Sequence, residues 1–178
     1  MSRVARNRST YPKKIDKKKT ETKSEILKWT GRLIIAAVIV LLLFIFVIGS
    51  SAVSGHSMYP TYKDGQQVMY IKLGSNYESG EVAVIKMVDG TEYIKRVIGT
   101  PGDTIDIKDG KVYINGEAED GDYINGETEP DTTVAEVSYP LTLGENEYFV
   151  LGDNRADSVD SRTFGTIVGL QFRGHVVG

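Results

Sequence analysis

The chain has 178 residues, room for one domain of ordinary size and an appendage. It has no cysteine and only two histidines, His56 and His175, which excludes disulfides, thiolate metal sites, a cysteine nucleophile and a three-histidine zinc centre. A net charge of −3 conceals a basic head and an acidic body: residues 1–32 hold eleven Lys/Arg against three acids, leaving ten basic and 21 acidic side chains for the rest.

Such a body has no surplus of cations to neutralise phosphates, so no nucleic-acid partner is expected. The head, residues 1–32, reads as a basic cytoplasmic tail. Its first 25 residues are polar, Lys-rich and interrupted by Pro12, a composition that predicts disorder. From Leu33 to Val53 there is no charge, and Leu, Ile and Val dominate. As a helix this stretch would reach about 32 Å, enough for a hydrocarbon core of about 30 Å. Trp29 stands at interface depth just before it, and the basic flank predicts a cytoplasmic N-terminus with the body outside the cell membrane. A cleaved signal peptide is the competing reading, since Ser50-Ser51-Ala52 resembles a small-residue cleavage site. The long basic region and long apolar core favour an uncleaved single-pass anchor in contact with lipid.

Residues 54–178 read as β. Asp64-Gly65, Asp89-Gly90, Asp109-Gly110, Asn115-Gly116 and Asn125-Gly126 supply the positive φ angles of tight turns. Between turns lie short β-branched and aromatic runs at 67–72, 82–88, 92–99, 104–108, 111–114, 148–151, 165–168 and 171–177. The prediction is a mainly β domain, an antiparallel sandwich or small barrel, behind one transmembrane helix. Residues 117–147 interrupt it with eight acids from Glu117 to Glu136 and with Pro130 and Pro140. Lacking the ordered ligand spacing of a calcium loop, this insertion reads as a solvated excursion between strands.

Three patches have the residue types for chemistry. Ser57 follows the last apolar residue of the continuous run, Ile48, by nine positions, within roughly 30 Å of the membrane surface at about 3.3 Å per extended residue. A serine attacks an acyl carbon only when a base takes its proton. His56 is adjacent, but strand alternation turns it to the opposite side, and His175 reads as a packing residue. Lys95 is the better candidate, because alternation places it with Tyr93 and Val97, and an apolar setting lowers a lysine pKa. An ordinary strand lysine would show no such shift, and composition alone does not choose between them. The third patch, Gly152–Gly165, is dense in hydrogen-bonding groups. Asp160 and Arg162 can pair there, and Ser158 or Ser161 can orient an amine. Asp153, Asp157 and Asp160 could instead hold a metal, or the patch could be a plain turn. No metal and no cofactor are expected.

Behind this anchor and in this order stand Ser57-Met58-Tyr59-Pro60-Thr61, Gly80-Glu81-Val82-Ala83-Val84, Lys95-Arg96-Val97-Ile98-Gly99-Thr100-Pro101-Gly102-Asp103 and Gly152–Gly165. Together they resemble the bacterial type I signal peptidases (leader peptidases), in the compact Gram-positive form with one anchor. The resemblance implies a serine endopeptidase that removes signal peptides from secreted preproteins after small residues, through an acyl-enzyme. It implies Ser57 as nucleophile and Lys95 as base, then acid. Ser158 would orient the amine, Asp160 and Arg162 form an ion pair, and Arg96 act as a supporting cation. Val53, Gly55, Met58, Val84, Tyr93 and Ile94 match positions around shallow pockets for small side chains. Two positions depart from the family pattern. Gly55 stands where some members have a serine that completes the oxyanion hole, and Glu81 stands where Asp is commoner. The alternatives from other classes are a soluble Ser/Lys self-cleaving repressor protease, which lacks an anchor, and an inactive paralogue or non-enzymatic β-rich surface module.

Overall fold

The computed structural model describes residues 16–131 and 137–177. Two compact units divide between Phe44 and Ile45. Helix α1, Asp16–Val47, makes up the described part of the first unit, and its last turn lies in the second. Its apolar segment, Thr22–Val47, has 26 residues and would span about 39 Å. Leu33, Phe44 and Phe46 on it are exposed, as expected of a helix whose solvent is lipid.

Both ends of the anchor differ from the sequence reading. Residues 16–25, expected to be disordered, are helical, and a Lys28–Glu25 contact at 2.7 Å supports that turn. Residues 1–15 of the tail lie outside the described residues. At the other end the helix stops at Val47 rather than continuing to Val53. Gly49, Ser50 and Ser51 are poor helix formers, and they pair in a sheet instead. The last carbonyls of α1 are met by Lys72, whose N–H donates to Val47 O at 2.8 Å and whose Nζ donates to Ile45 O at 3.1 Å.

The second unit is antiparallel β, as its turns and short runs predict. Its strands are β1 Ile48–Ala52, β2 Gln67–Ile71, β3 Val82–Lys86, β4 Glu92–Gly99, β5 Thr104–Lys108 and β6 Lys111–Ile114. They continue with β7 Glu117–Ala118, β8 Leu141–Thr142, β9 Glu147–Leu151, β10 Ile167–Val168 and β11 Phe172–Val177, and a short helix α2, Ser161–Phe164, follows β9. Seven strands form one sheet in the order β1-β2-β11-β3-β4-β9-β10, and four form a second in the order β7-β6-β5-β8. The turns at Asp109 and Asn115 take φ of 52° and 53°, the left-handed conformation that Asp-Gly and Asn-Gly steps supply.

Strand β9 joins the two sheets into one core. Its alternate residues face opposite ways: Tyr148 and Val150 pack with Ala83, Ile85, Val97 and Phe172, while Phe149 and Leu151 pack with Ile98, Ile105, Val112 and Leu143. A strand covered on both faces must be apolar throughout, which explains the unbroken run Tyr148–Leu151. A third cluster, of Val53, Met58, Val68, Val84 and Ile94, lies beneath the segment that bears Ser57.

The 117–147 excursion is not simply solvated. Thr128 is 1% exposed and the Glu119 side chain 4% exposed. Asn125 bridges Asn154 in parallel, with Asn125 N–H donating to Asp153 O and Arg155 N–H to Asn125 O, both at 2.8 Å. Residues 132–136, with Glu136, lie outside the described residues.

Phe149 is fully buried, and its ring meets Tyr139 edge-on at 6.2 Å. Phe149→Ala is expected to destabilise the β unit by about 3–5 kcal/mol, read from urea unfolding in detergent by circular dichroism. A loss below about 1 kcal/mol would show that β9 is not the shared core strand.

Candidate active site

Ser57 sits in the turn that follows β1, with Met58 after it fully buried as the anchor of that turn. Lys95 lies in the middle of β4 and is 2% exposed. Its Nζ donates to Ser57 Oγ at 2.7 Å and to Ser158 Oγ at 3.1 Å. The Tyr93 ring lies 5.6 Å from the same amine, while Ile94 turns the other way into the Val53–Met58 cluster, as alternation requires. His56 is exposed and contributes its carbonyl, which accepts from Asn154 Nδ2 at 3.2 Å. His175 stacks on Tyr77 at 4.1 Å and meets Glu81 Oε2 at 3.2 Å, away from Ser57.

Burial pushes the Lys95 amine down to about 8 from an ordinary 10.5. Desolvation is the main cause, Asp160, Asp153 and Asp157 pull back toward the charged form, and Arg162 opposes them. The opposing pull is blunted because the two nearest buried carboxylates are already occupied. Asp160 accepts from Arg162 Nε and Nη2, both at 2.9 Å. Asp153 accepts from Arg96 Nε at 2.8 Å and Nη2 at 2.7 Å, and also from the Thr61 hydroxyl. Each fork sets a guanidinium against both oxygens of its carboxylate.

Asp160 also fixes the loop itself. It caps α2 and accepts from Gly152 N–H at 3.1 Å. Gly152 occupies a gap that admits no side chain: a Cβ there would lie 2.3 Å from Ser158 Oγ and 2.5 Å from Ser57 O. Asn154 N–H donates to Ser57 O at 3.0 Å, so the Gly152–Ser158 loop holds the serine turn from one side and the lysine from the other.

Beside Ser57 is a small cavity of about 40 Å³, lined by Ala52, Val53, Ser54, Ser57, Met58, Glu92, Tyr93 and Ile94. Four of the six expected pocket positions are among these. Val84 lies fully buried in the cluster below instead, and Gly55 is outside the lining, its N–H donating to Asp64 Oδ1 at 2.8 Å. Sequence reasoning did not find Asp153 as partner of Arg96, nor Asn154, Arg155 and Glu119. A dense polar run signals the first three, but nothing local marks Glu119 among its acidic neighbours.

A mostly antiparallel β domain that buries a lysine amine against a serine hydroxyl follows an apolar N-terminal helix in this chain. The sequence comparisons identify the family. The family model described as signal peptidase, peptidase S26, matches residues 26–177. Signal peptidase I of Bacillus amyloliquefaciens is 35% identical over 156 residues, covering 84% of each chain. Signal peptidase IB of Staphylococcus aureus is 35% identical over 169 residues, covering 86% of this chain and 88% of its own. A crystal structure of a signal peptidase I from Enterococcus faecalis has 30% identity and a TM-score of 0.48, covering 57% of this chain and 97% of its own. The chain belongs to the signal peptidase S26 family and is a peptidase.

The depressed Lys95 pKa has a stability consequence. Below pH 8 both folded and unfolded lysine are protonated, and the folded state bears the full cost of the buried charge; from about 8 to 10.5 the folded state deprotonates first and the cost disappears. Lys95→Met should therefore be more stable than wild type at pH 7 by about 2 kcal/mol, taking about 3 for the shift less about 1 for two stranded hydroxyls. That advantage should vanish by about pH 10. Thermal melts of both proteins from pH 6 to 10 decide it; a constant difference would refute the buried-charge account.

Proposed function

We propose that this peptidase is a membrane-anchored serine endopeptidase that cuts signal peptides from secreted preproteins, with Ser57 as nucleophile and Lys95 as general base. The observation that carries the reading is the 2.7 Å approach of Lys95 Nζ to Ser57 Oγ, at an amine 2% exposed. The family membership supplies the substrate class, since the named relatives are signal peptidases.

The neutral amine takes the Ser57 proton as Oγ attacks the scissile carbonyl carbon. The tetrahedral oxyanion forms next to the Ser57 N–H, a donor worth about 3 kcal/mol when well placed. The resulting ammonium protonates the departing amine of the mature protein, leaving the signal peptide as an ester on Ser57. Lys95, neutral again, takes a proton from water as it attacks the ester carbon, then gives that proton to Ser57 Oγ as the acyl–oxygen bond breaks and the signal peptide leaves as a carboxylic acid that ionises. Ser158 holds the amine in line through both halves, and Asp160 with Arg162 and Asp153 with Arg96 hold the loop and strand that present it. Val53, Met58, Tyr93 and Ile94 accept a side chain beside Ser57, with Val84 packed beneath them. The small size of this cavity favours a small side chain beside Ser57.

The basic head stays in the cytoplasm, α1 crosses the membrane, and the β unit works outside, where the cleavage region of a preprotein emerges. The Ser/Lys repressor-type reading has no support in a chain with this helix and this family match.

With preprotein substrate, Ser57→Ala and Lys95→Met are each expected to lower kcat by at least about 1,000-fold. For wild type, kcat/KM should rise tenfold per pH unit on the acid side and level off near pH 8, the value to which burial lowers Lys95. Wild-type cleavage by Ser57→Ala, or a rise centred near pH 6.5 as for a histidine base, would overturn the assignment.

A further inference from the structure

A buried ion pair that the proposed mechanism does not use joins the acidic excursion to the Gly152–Gly165 segment. Arg155 Nη2 donates to Glu119 Oε1 at 2.6 Å, and the two side chains are 1% and 4% exposed. Arg155 Nη1 donates to Thr128 Oγ1 at 2.8 Å, and Arg155 Nε donates to Gly152 O at 3.0 Å. The Tyr123 hydroxyl donates to Glu119 Oε1 at 3.1 Å. Among the described residues Glu119 Oε2 is buried without a partner, so the carboxylate is turned toward Arg155 at a cost to its own solvation.

Burying such a pair is expensive, and an apolar pair of the same volume is often as stable or more so. A role other than stability is therefore the more economical account of it. The third arm of the guanidinium shows what that role is. It holds the carbonyl of Gly152, whose N–H is held by Asp160 at 3.1 Å, so the peptide groups before and after this one residue are both held by side chains. Gly152 is also the residue wedged between Ser57 O and Ser158 Oγ, with no room for a Cβ. Gly152 thus lies against both Ser57 and Ser158, and these carry the two hydroxyls that Lys95 contacts.

We propose that Glu119, Thr128 and Arg155 form a positioning strut, through which residues 119–128 fix Gly152 and set the spacing of Ser57, Lys95 and Ser158. These residues then act on the catalytic groups through Gly152. The backbone agrees, since Asn125 is bonded to Asp153 and Arg155 on either side of Asn154, and Asn154 N–H holds Ser57 O. This inference rests on the Ser57–Lys95 reading.

Two variants test it in the full-length protein. Glu119→Gln keeps the shape and removes the charge. The double variant Glu119→Leu with Arg155→Met removes the strut while restoring an apolar fit, which guards against simple loss of folding. Both are expected to lower kcat about 10- to 100-fold, the scale of an ångström's misplacement of catalytic groups, with KM within about twofold because the cavity is built by other elements. Both should also move the kcat/KM midpoint upward by at least about half a pH unit, as water reaches Lys95. A merely structural role would lower Tm and leave the pH midpoint in place. If the double variant melts with wild type and keeps its kcat and pH midpoint, or if only KM rises, the strut is wrong. Ser57→Ala, run alongside, separates the two ideas: loss of cleavage in Ser57→Ala with normal kinetics in the strut variants sinks the strut alone, and cleavage by Ser57→Ala sinks the dyad.

Discussion

The site depends on keeping one lysine amine out of water in the middle of an acidic domain. Desolvation favours the neutral amine, and carboxylates nearby favour the cation. In this unit the first effect wins, because the buried carboxylates facing Lys95 are each clasped by a guanidinium: Asp153 by Arg96 and Asp160 by Arg162. Exposed Asp157 adds to their pull across a greater share of solvent. The two arginine forks do not create the depressed pKa. They stop the acidic loop from cancelling it.

The rest of the fold supplies the dryness. Strand β4 is buried from Ile94 to Gly99, and β9 beside it from Tyr148 to Leu151. Lys95 and Arg96 therefore stand between the core residues Ile94, Val97 and Ile98 of one strand. The serine arrives from a different direction, on a turn pinned by buried Met58 and by Asn154. Ser57 and Ser158 are separated from Lys95 by 38 and 63 positions in the chain, so only a rigid core can bring the three within 3.1 Å.

The sequence showed the parts of this that have a local cause. Asp109-Gly110 and Asn115-Gly116 demanded left-handed turns, and β4, β5 and β6 fall at the expected limits. The alternation Tyr93, Ile94, Lys95 was readable because it needs no partner. Strand β1 was hidden, because Ile48 and Gly49 continue an apolar run and only pairing with β2 distinguishes strand from anchor. Glu119 was hidden for a sharper reason. In sequence a buried acid is identical to a solvated one, and what buries Glu119 is an arginine 36 positions away. Asp153 and Asp160 fall between these cases, since their type was visible and their partners only partly so.

Gly55 shows how these constraints bear on the reaction. Its φ of 82° is left-handed, and its N–H is committed to Asp64, so neither a side chain nor its amide readily serves an oxyanion there. The Ser57 N–H, by contrast, has no acceptor among the described residues. On the proposed mechanism one amide does what is often shared by two donors, each worth about 3 kcal/mol. Three buried arginine–carboxylate pairs around one loop are costly as stability devices and well suited to holding a geometry. The Gly152–Arg162 loop, which meets Ser57 through Asn154 and Lys95 through Ser158, is where those pairs converge.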